Sequence, residues 1–165
     1  MEGIPLGDFD GQSLVLLAVL LVVLILASAF FSSAETSMMT LNRYRLNHLA
    51  ERGHRAAQAA RKLLERPDRL IGLVLFGNNF LNILIAQIAT VVTLELWGEG
   101  ALIASSAVLT VLVLVFAETV PKTLAALQPE RVAFPAAIVL RPLLTVLWPF
   151  VWALNGVSNA VLALL

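Results

Sequence analysis

Cysteine is absent from this 165-residue sequence, which excludes disulfides, thiolate metal sites and iron–sulfur clusters. Charge is scarce, at 13% of residues against about 25% in soluble domains. Histidine occurs only at His48 and His54, six residues apart and off a shared helix face, where both are expected to be solvated. There is no dinucleotide glycine fingerprint, phosphate-binding loop or HExxH motif. No apolar stretch holds a histidine that would activate Ser32 or Ser33, so no enzyme is expected. The first thirteen residues carry Glu2, Asp8 and Asp10 but no basic residue. A cleavable leader needs a positive segment before its apolar region. The run Leu14–Ala27 is therefore expected to be a retained membrane span, despite the Ala27-Ser28-Ala29 that follows it.

Apolar residues dominate instead, at 59% of the chain with a mean hydropathy of +0.90. Uncharged apolar stretches of about 18 residues or more read as transmembrane helices. The expected architecture is all-α: one integral membrane domain over residues 1–165, with spans at about 14–36, 70–94 and 101–127. A transmembrane β-barrel is excluded, because its strands are short and alternating.

Charge is unevenly placed. Eight of the 11 Lys and Arg lie between Arg43 and Arg69, whereas the loop Glu95–Gly100 has two acids and no base. Positive loops stay inside, so residues 40–69 are expected in the cytoplasm, with the N-terminus and the Trp97 loop outside, as in an inner-membrane protein. Within the basic loop, Leu46, Leu49 and Ala50 form one apolar stripe, and Ala56, Ala60, Leu63 and Leu64 another, with Gly53 between. Two cytoplasmic helices are expected over about 40–67. Their charges fit topology and anionic membrane lipids better than nucleic acid. Beyond about residue 130, Pro135, Pro142 and Pro149 recur every seven residues. Hydropathy permits either a fourth span over Leu143–Leu165 or a proline-broken helix along the inner face.

Polar groups within spans are costly and mark interiors, partners or cavities. Ser28, Ser32 and Glu35 share one face of the first span. Asn78 and Asn82 share a face of the second, with Asn79 about 100° away. Gly72 and Gly77 permit close helix approach there. In the third span Pro121 cannot donate to the Ala117 carbonyl, leaving a backbone oxygen beside Glu118; a Glu118–Lys122 pair at spacing four is the plainer alternative. Counting about 1.5 Å per residue, Ser32, Asn78, Asn82 and Glu118 all fall in the inner half of the bilayer. Hydroxyl, amide, carboxylate and carbonyl oxygens are hard ligands suited to Mg²⁺, Ca²⁺, Mn²⁺ or Na⁺. Zinc, copper and nickel are disfavoured; Met38 and Met39, the only soft candidates, are expected to pack.

Three motifs together resemble the CorC/CNNM (cyclin M) magnesium transporter family: Phe30-Phe31-Ser32-Ser33-Ala34-Glu35-Thr36 followed by Leu41–Leu46, Gly77-Asn78-Asn79-Phe80-Leu81-Asn82, and Phe116-Ala117-Glu118-Thr119-Val120-Pro121-Lys122. The resemblance implies three crossing helices per protomer, a juxtamembrane helical belt and a homodimer. It also implies Mg²⁺ as the transported ion, with export coupled to Na⁺. Ser32, Asn78, Asn82 and Glu118 become the ion's expected ligands, with Ser33 and the Ala117 carbonyl secondary and Glu35, Gly77, Pro121 and Lys122 supporting. Ala117 and Ser33 depart from the family pattern, which commonly has glycine at both. ATP-binding CBS modules follow the membrane domain in the family; Leu165 ends this sequence in an apolar segment, as expected of an excised membrane domain. A cytoplasmic C-terminus would need an odd number of crossings, which favours the belt. The alternative function is a Mg²⁺-sensing module that transports nothing.

Overall fold

The computed structural model describes residues 11–150 together with 152, 153 and 156, and every regular element among them is helical. Among the described residues three helices are long and apolar enough to cross a membrane: Gly11–Thr40, Pro67–Trp97 and Glu99–Leu127. The first, α1 (Gly11–Thr40), extends the expected span by a turn toward the basic end. Its N-terminal half, from Val15 to Leu26, presents large exposed aliphatic side chains, as a helix bathed in lipid does. Full burial begins at Ser28 and recurs at Ser32, Ala34, Ser37 and Met38. Met38 therefore packs as expected, while Met39 is half exposed.

The basic loop folds as two helices, α2 (Arg43–Glu51) and α3 (Arg55–Leu64). Asn42 caps α2 by accepting from the Arg45 backbone N–H at 3.1 Å. Gly53, at φ 85°, turns the chain. The Gly53 N–H bonds the Ala50 carbonyl and the His54 N–H bonds the Leu49 carbonyl, a reversal that glycine makes without strain. His54 is more than a solvated residue: its Nδ1 accepts from the Ala57 N–H at 3.2 Å and caps α3. The expected stripes are the buried ones, Leu46 and Ala50 on α2 and Ala56, Ala60, Leu63 and Leu64 on α3.

The second span, α4 (Pro67–Trp97), starts with proline at a position needing no N–H. The third is compound. A single 3₁₀ turn, Glu99–Ala101, leads into α5 (Leu102–Leu112), then a π-helical stretch Val113–Thr119, then α6 (Val120–Leu127). The last described helix, α7 (Pro129–Val146), continues through Pro135 and Pro142. Each proline removes one intrahelical bond, yet small and apolar residues hold the helix down. Ala133, Ala136, Ala137 and Leu140 are buried against α1 and α3. Arg45 clamps its start through Glu130 at 3.0 Å. The Leu143–Leu165 alternative falls mostly outside the described residues.

Packing concentrates at the basic end. α1 contacts α4, the π stretch, α6 and α7, and one apolar core joins α1, α2, α3, the first turns of α4, and α7. A collar of short helices thus grips the lower half of the three spans, where the polar residues lie.

Candidate cation site

Gly77 sets the separation of α1 and α4. A Cβ built there would stand 2.6 Å from Phe31 Cε1 and 2.7 Å from its Cζ, so glycine is what lets the Phe31 ring tip sit this close to α4. That contact fixes the register of the two antiparallel helices and brings Ser28 opposite the asparagines. Ser28 Oγ lies 2.8 Å from Asn78 Oδ1 and 2.8 Å from Asn82 Oδ1, and Ser28 is fully buried. A hydroxyl carries one proton and can donate to only one of the two. Three oxygens therefore converge with a single hydrogen among them.

Asn82 faces both ways. Its Nδ2 donates to Glu118 Oε1 at 3.4 Å, which orients its oxygen toward Ser28. Asn79, turned away, donates to the Leu75 carbonyl at 2.9 Å and serves its own helix.

Glu118 sits in the π-helical stretch. There the Val120 N–H reaches the Val115 carbonyl, five residues back. Pro121 has no N–H to offer Phe116, five back, or Ala117, four back. Such stretches recur at functional sites because the extra residue per turn redirects side chains and backbone. Ala117 is fully buried and Glu118 partly so.

The remaining expected residues divide clearly. Ser32 is fully buried one turn below Ser28, and its Oγ has no hydrogen-bond partner. A hydroxyl left so in an apolar bundle costs about 1–3 kcal/mol. Ser33 instead donates to the Phe30 carbonyl at 2.9 Å on its own helix. Lys122 does not pair with Glu118; its Nζ lies 4.0 Å from Glu35 Oε2 on α1. The pair sits one turn toward the basic end from Ser32 and Glu118. Ser28 was not among the expected ligands. Its spacing of four from Ser32 was the available signal.

On the other side of Asn82 and Glu118, a cleft of about 240 Å³ opens between α4 and the third span. Among the described residues no three His, Cys, Asp or Glu are placed to hold a metal ion together. The donor set is one carboxylate with neutral oxygens, which suits a hard cation.

Comparison with known proteins agrees with the motifs. Residues 19–165 match the Cyclin M transmembrane N-terminal domain. The chain is 50% identical over 138 residues to the UPF0053 inner membrane protein YfjD of Escherichia coli, covering 84% of this chain and 32% of that one. It is 39% identical over 155 residues to a UPF0053 protein of Haemophilus influenzae, covering 94% and 35%. A protein named Polyamine export protein, also from Haemophilus influenzae, is 32% identical over 152 residues, covering 84% and 35%. The chain thus spans about a third of the length of these relatives. With three apolar helices and these matches, it is a multi-pass membrane protein that belongs to the cyclin M transmembrane domain family.

Proposed function

We propose that this chain is the membrane domain of a secondary Mg²⁺ transporter, exporting the ion in exchange for Na⁺. The observation that carries the reading is the polar centre inside an apolar bundle. Ser28, Asn78 and Asn82 oxygens converge beside Glu118, and the buried Ser32 hydroxyl has no partner. Mg²⁺ prefers six oxygens in near-octahedral array. Ser28, Ser32, Asn78, Asn82, Glu118 and the Ala117 carbonyl together offer that number, and Glu118 supplies the charge that favours a cation over water.

In this reading the chain lies in the cell's inner membrane as a homodimer in contact with anionic lipids. The basic α2–α3 hairpin and the C-terminal side face the cytoplasm, the N-terminus faces outside, and CBS domains of a longer protein follow. Calorimetric titration of Mg²⁺ into purified protein tests the site: binding that disappears in Glu118→Gln supports it, and unchanged binding rejects it.

A second cargo has a specific observation behind it. Two relatives are named Polyamine export protein, and the cleft beside Glu118 has aliphatic walls, Ile85, Leu109, Val113 and Leu114. An alkylammonium chain suits a carboxylate set among methylenes. Spermidine that displaces Mg²⁺ competitively would favour this cargo; Mg²⁺ binding indifferent to spermidine favours the metal ion.

A further inference from the structure

The cleft at Asn82 and Glu118 has a neighbour. A second hollow of about 140 Å³ lies next to it between α4 and α5, sharing the lining residues Ala86, Leu109 and Thr110 and adding Thr90, Ser105 and Ser106. Thr90 lies eight residues beyond Asn82, about 12 Å toward the end opposite the basic hairpin. On α4 the hollow's lining ends at Thr90, about two turns short of Trp97; beyond it Thr93 is buried and the Glu99–Ala101 turn packs on α4.

Two features fit the groove to a cation. First, Thr110 donates to the Ser106 carbonyl at 2.8 Å, Thr90 to the Ala86 carbonyl at 2.8 Å, and Ser105 to the Leu102 carbonyl at 3.0 Å. Each hydroxyl has spent its proton on its own helix and turns only lone pairs to the groove. Second, the whole hairpin from residue 70 to 121 contains three carboxylates, Glu95, Glu99 and Glu118, and no Lys, Arg or His. A cation moving outward from Glu118 meets oxygen acceptors and no positive charge.

We infer that the α4–α5 groove lined by Thr110, Ser106 and Thr90 is the outer half of the cation's route. This deepens the transport reading and rests on it.

The lack of cysteine makes the test direct. Thr110→Cys and Ser106→Cys are reconstituted in proteoliposomes, and a membrane-impermeant cationic methanethiosulfonate is added from the outer face under an outward Mg²⁺ gradient. Val108→Cys is the control, being 59% exposed on the opposite face of α5. The groove cysteines should react at least about tenfold faster than Val108→Cys, because a thiol in apolar surroundings stays protonated and inert. Labelling should also block flux. The inference is overturned if neither groove cysteine reacts from the outer face, if both react only from the inner face, or if they cross-link two copies of the chain. Flux of the cysteine-free chain is read in parallel. Outer labelling without any such flux counts against the transport reading and not against the route.

Discussion

Ser28 Oγ stands 2.8 Å from both Asn78 Oδ1 and Asn82 Oδ1, so one hydroxyl proton is shared among three oxygens at the centre of an apolar bundle. A cation at this centre would let each oxygen act as a donor of lone pairs without a competing proton. Ser28→Ala should then weaken Mg²⁺ binding about tenfold, equivalent to about 1.4 kcal/mol. Ser33→Ala should leave it unchanged, because Ser33 Oγ is spent on the Phe30 carbonyl. Calorimetric titration of both variants checks the pair. Equal losses would mean that Ser28 contributes only packing.

Gly77 should be irreplaceable by a residue one methyl larger. In Gly77→Ala the new Cβ meets Phe31, whose ring is held edge-on by Phe30 with centroids 5.6 Å apart. Overpacking of this kind costs about 1–3 kcal/mol and pushes α1 from α4, separating Ser28 from the asparagines. Thermal melting in detergent should show the loss, and added Mg²⁺ should no longer raise the midpoint.

Lys122 and Glu35 predict opposite signs. Both are partly exposed and 4.0 Å apart, so their mutual contribution to stability is small, about 0–1 kcal/mol. Their effect on a nearby cation is Coulombic. Lys122→Gln removes a positive charge one turn from Glu118 and should tighten Mg²⁺ severalfold; Glu35→Gln removes a negative one and should weaken it. Both effects should shrink as NaCl is raised toward about 1 M, where the screening length falls to about 3 Å.

Pro121→Ala restores the N–H that the third span lacks. The new donor can reach the Ala117 or Phe116 carbonyl, straightening the turn that carries Glu118. Mg²⁺ affinity should fall while the melting midpoint holds or rises. Unchanged affinity would show that the freed carbonyl has no part in binding.

Much of this architecture is legible before any coordinates. Hydropathy alone places three spans, because a bilayer demands long uncharged helices. The helical period puts Asn78 and Asn82 on one face, and Gly53 marks the α2–α3 reversal. What escapes depends on contacts between helices. Ser28 and Ser32 share a face, so periodicity cannot choose between them; the Phe31–Gly77 contact sets the register and brings Ser28 to the asparagines. Spacing of four suggests Glu118 for Lys122, yet the π-helical stretch above Pro121 turns Glu118 toward Asn82 and leaves Lys122 to Glu35. Prolines at seven-residue intervals leave a fourth span and a broken helix equally open after residue 130; α7 runs through Pro135 and Pro142 because alanines seat it on α1 and α3, and it ends at Val146, ahead of Pro149. His54 hides its capping role, since aspartate, asparagine, serine and threonine are the usual signals.

The central claim is that Glu118 and the oxygens around Ser28 carry a cation across the membrane. Mg²⁺ flux into proteoliposomes holding a Mg²⁺-sensitive dye, with and without a Na⁺ gradient, tests it for the unaltered chain beside Glu118→Ala. Flux that follows the Na⁺ gradient and disappears in Glu118→Ala is the predicted result. Undiminished flux in Glu118→Ala would contradict the site. No flux in either chain, with Glu118-dependent Mg²⁺ binding intact, would contradict transport and leave a Mg²⁺-sensing domain in its place.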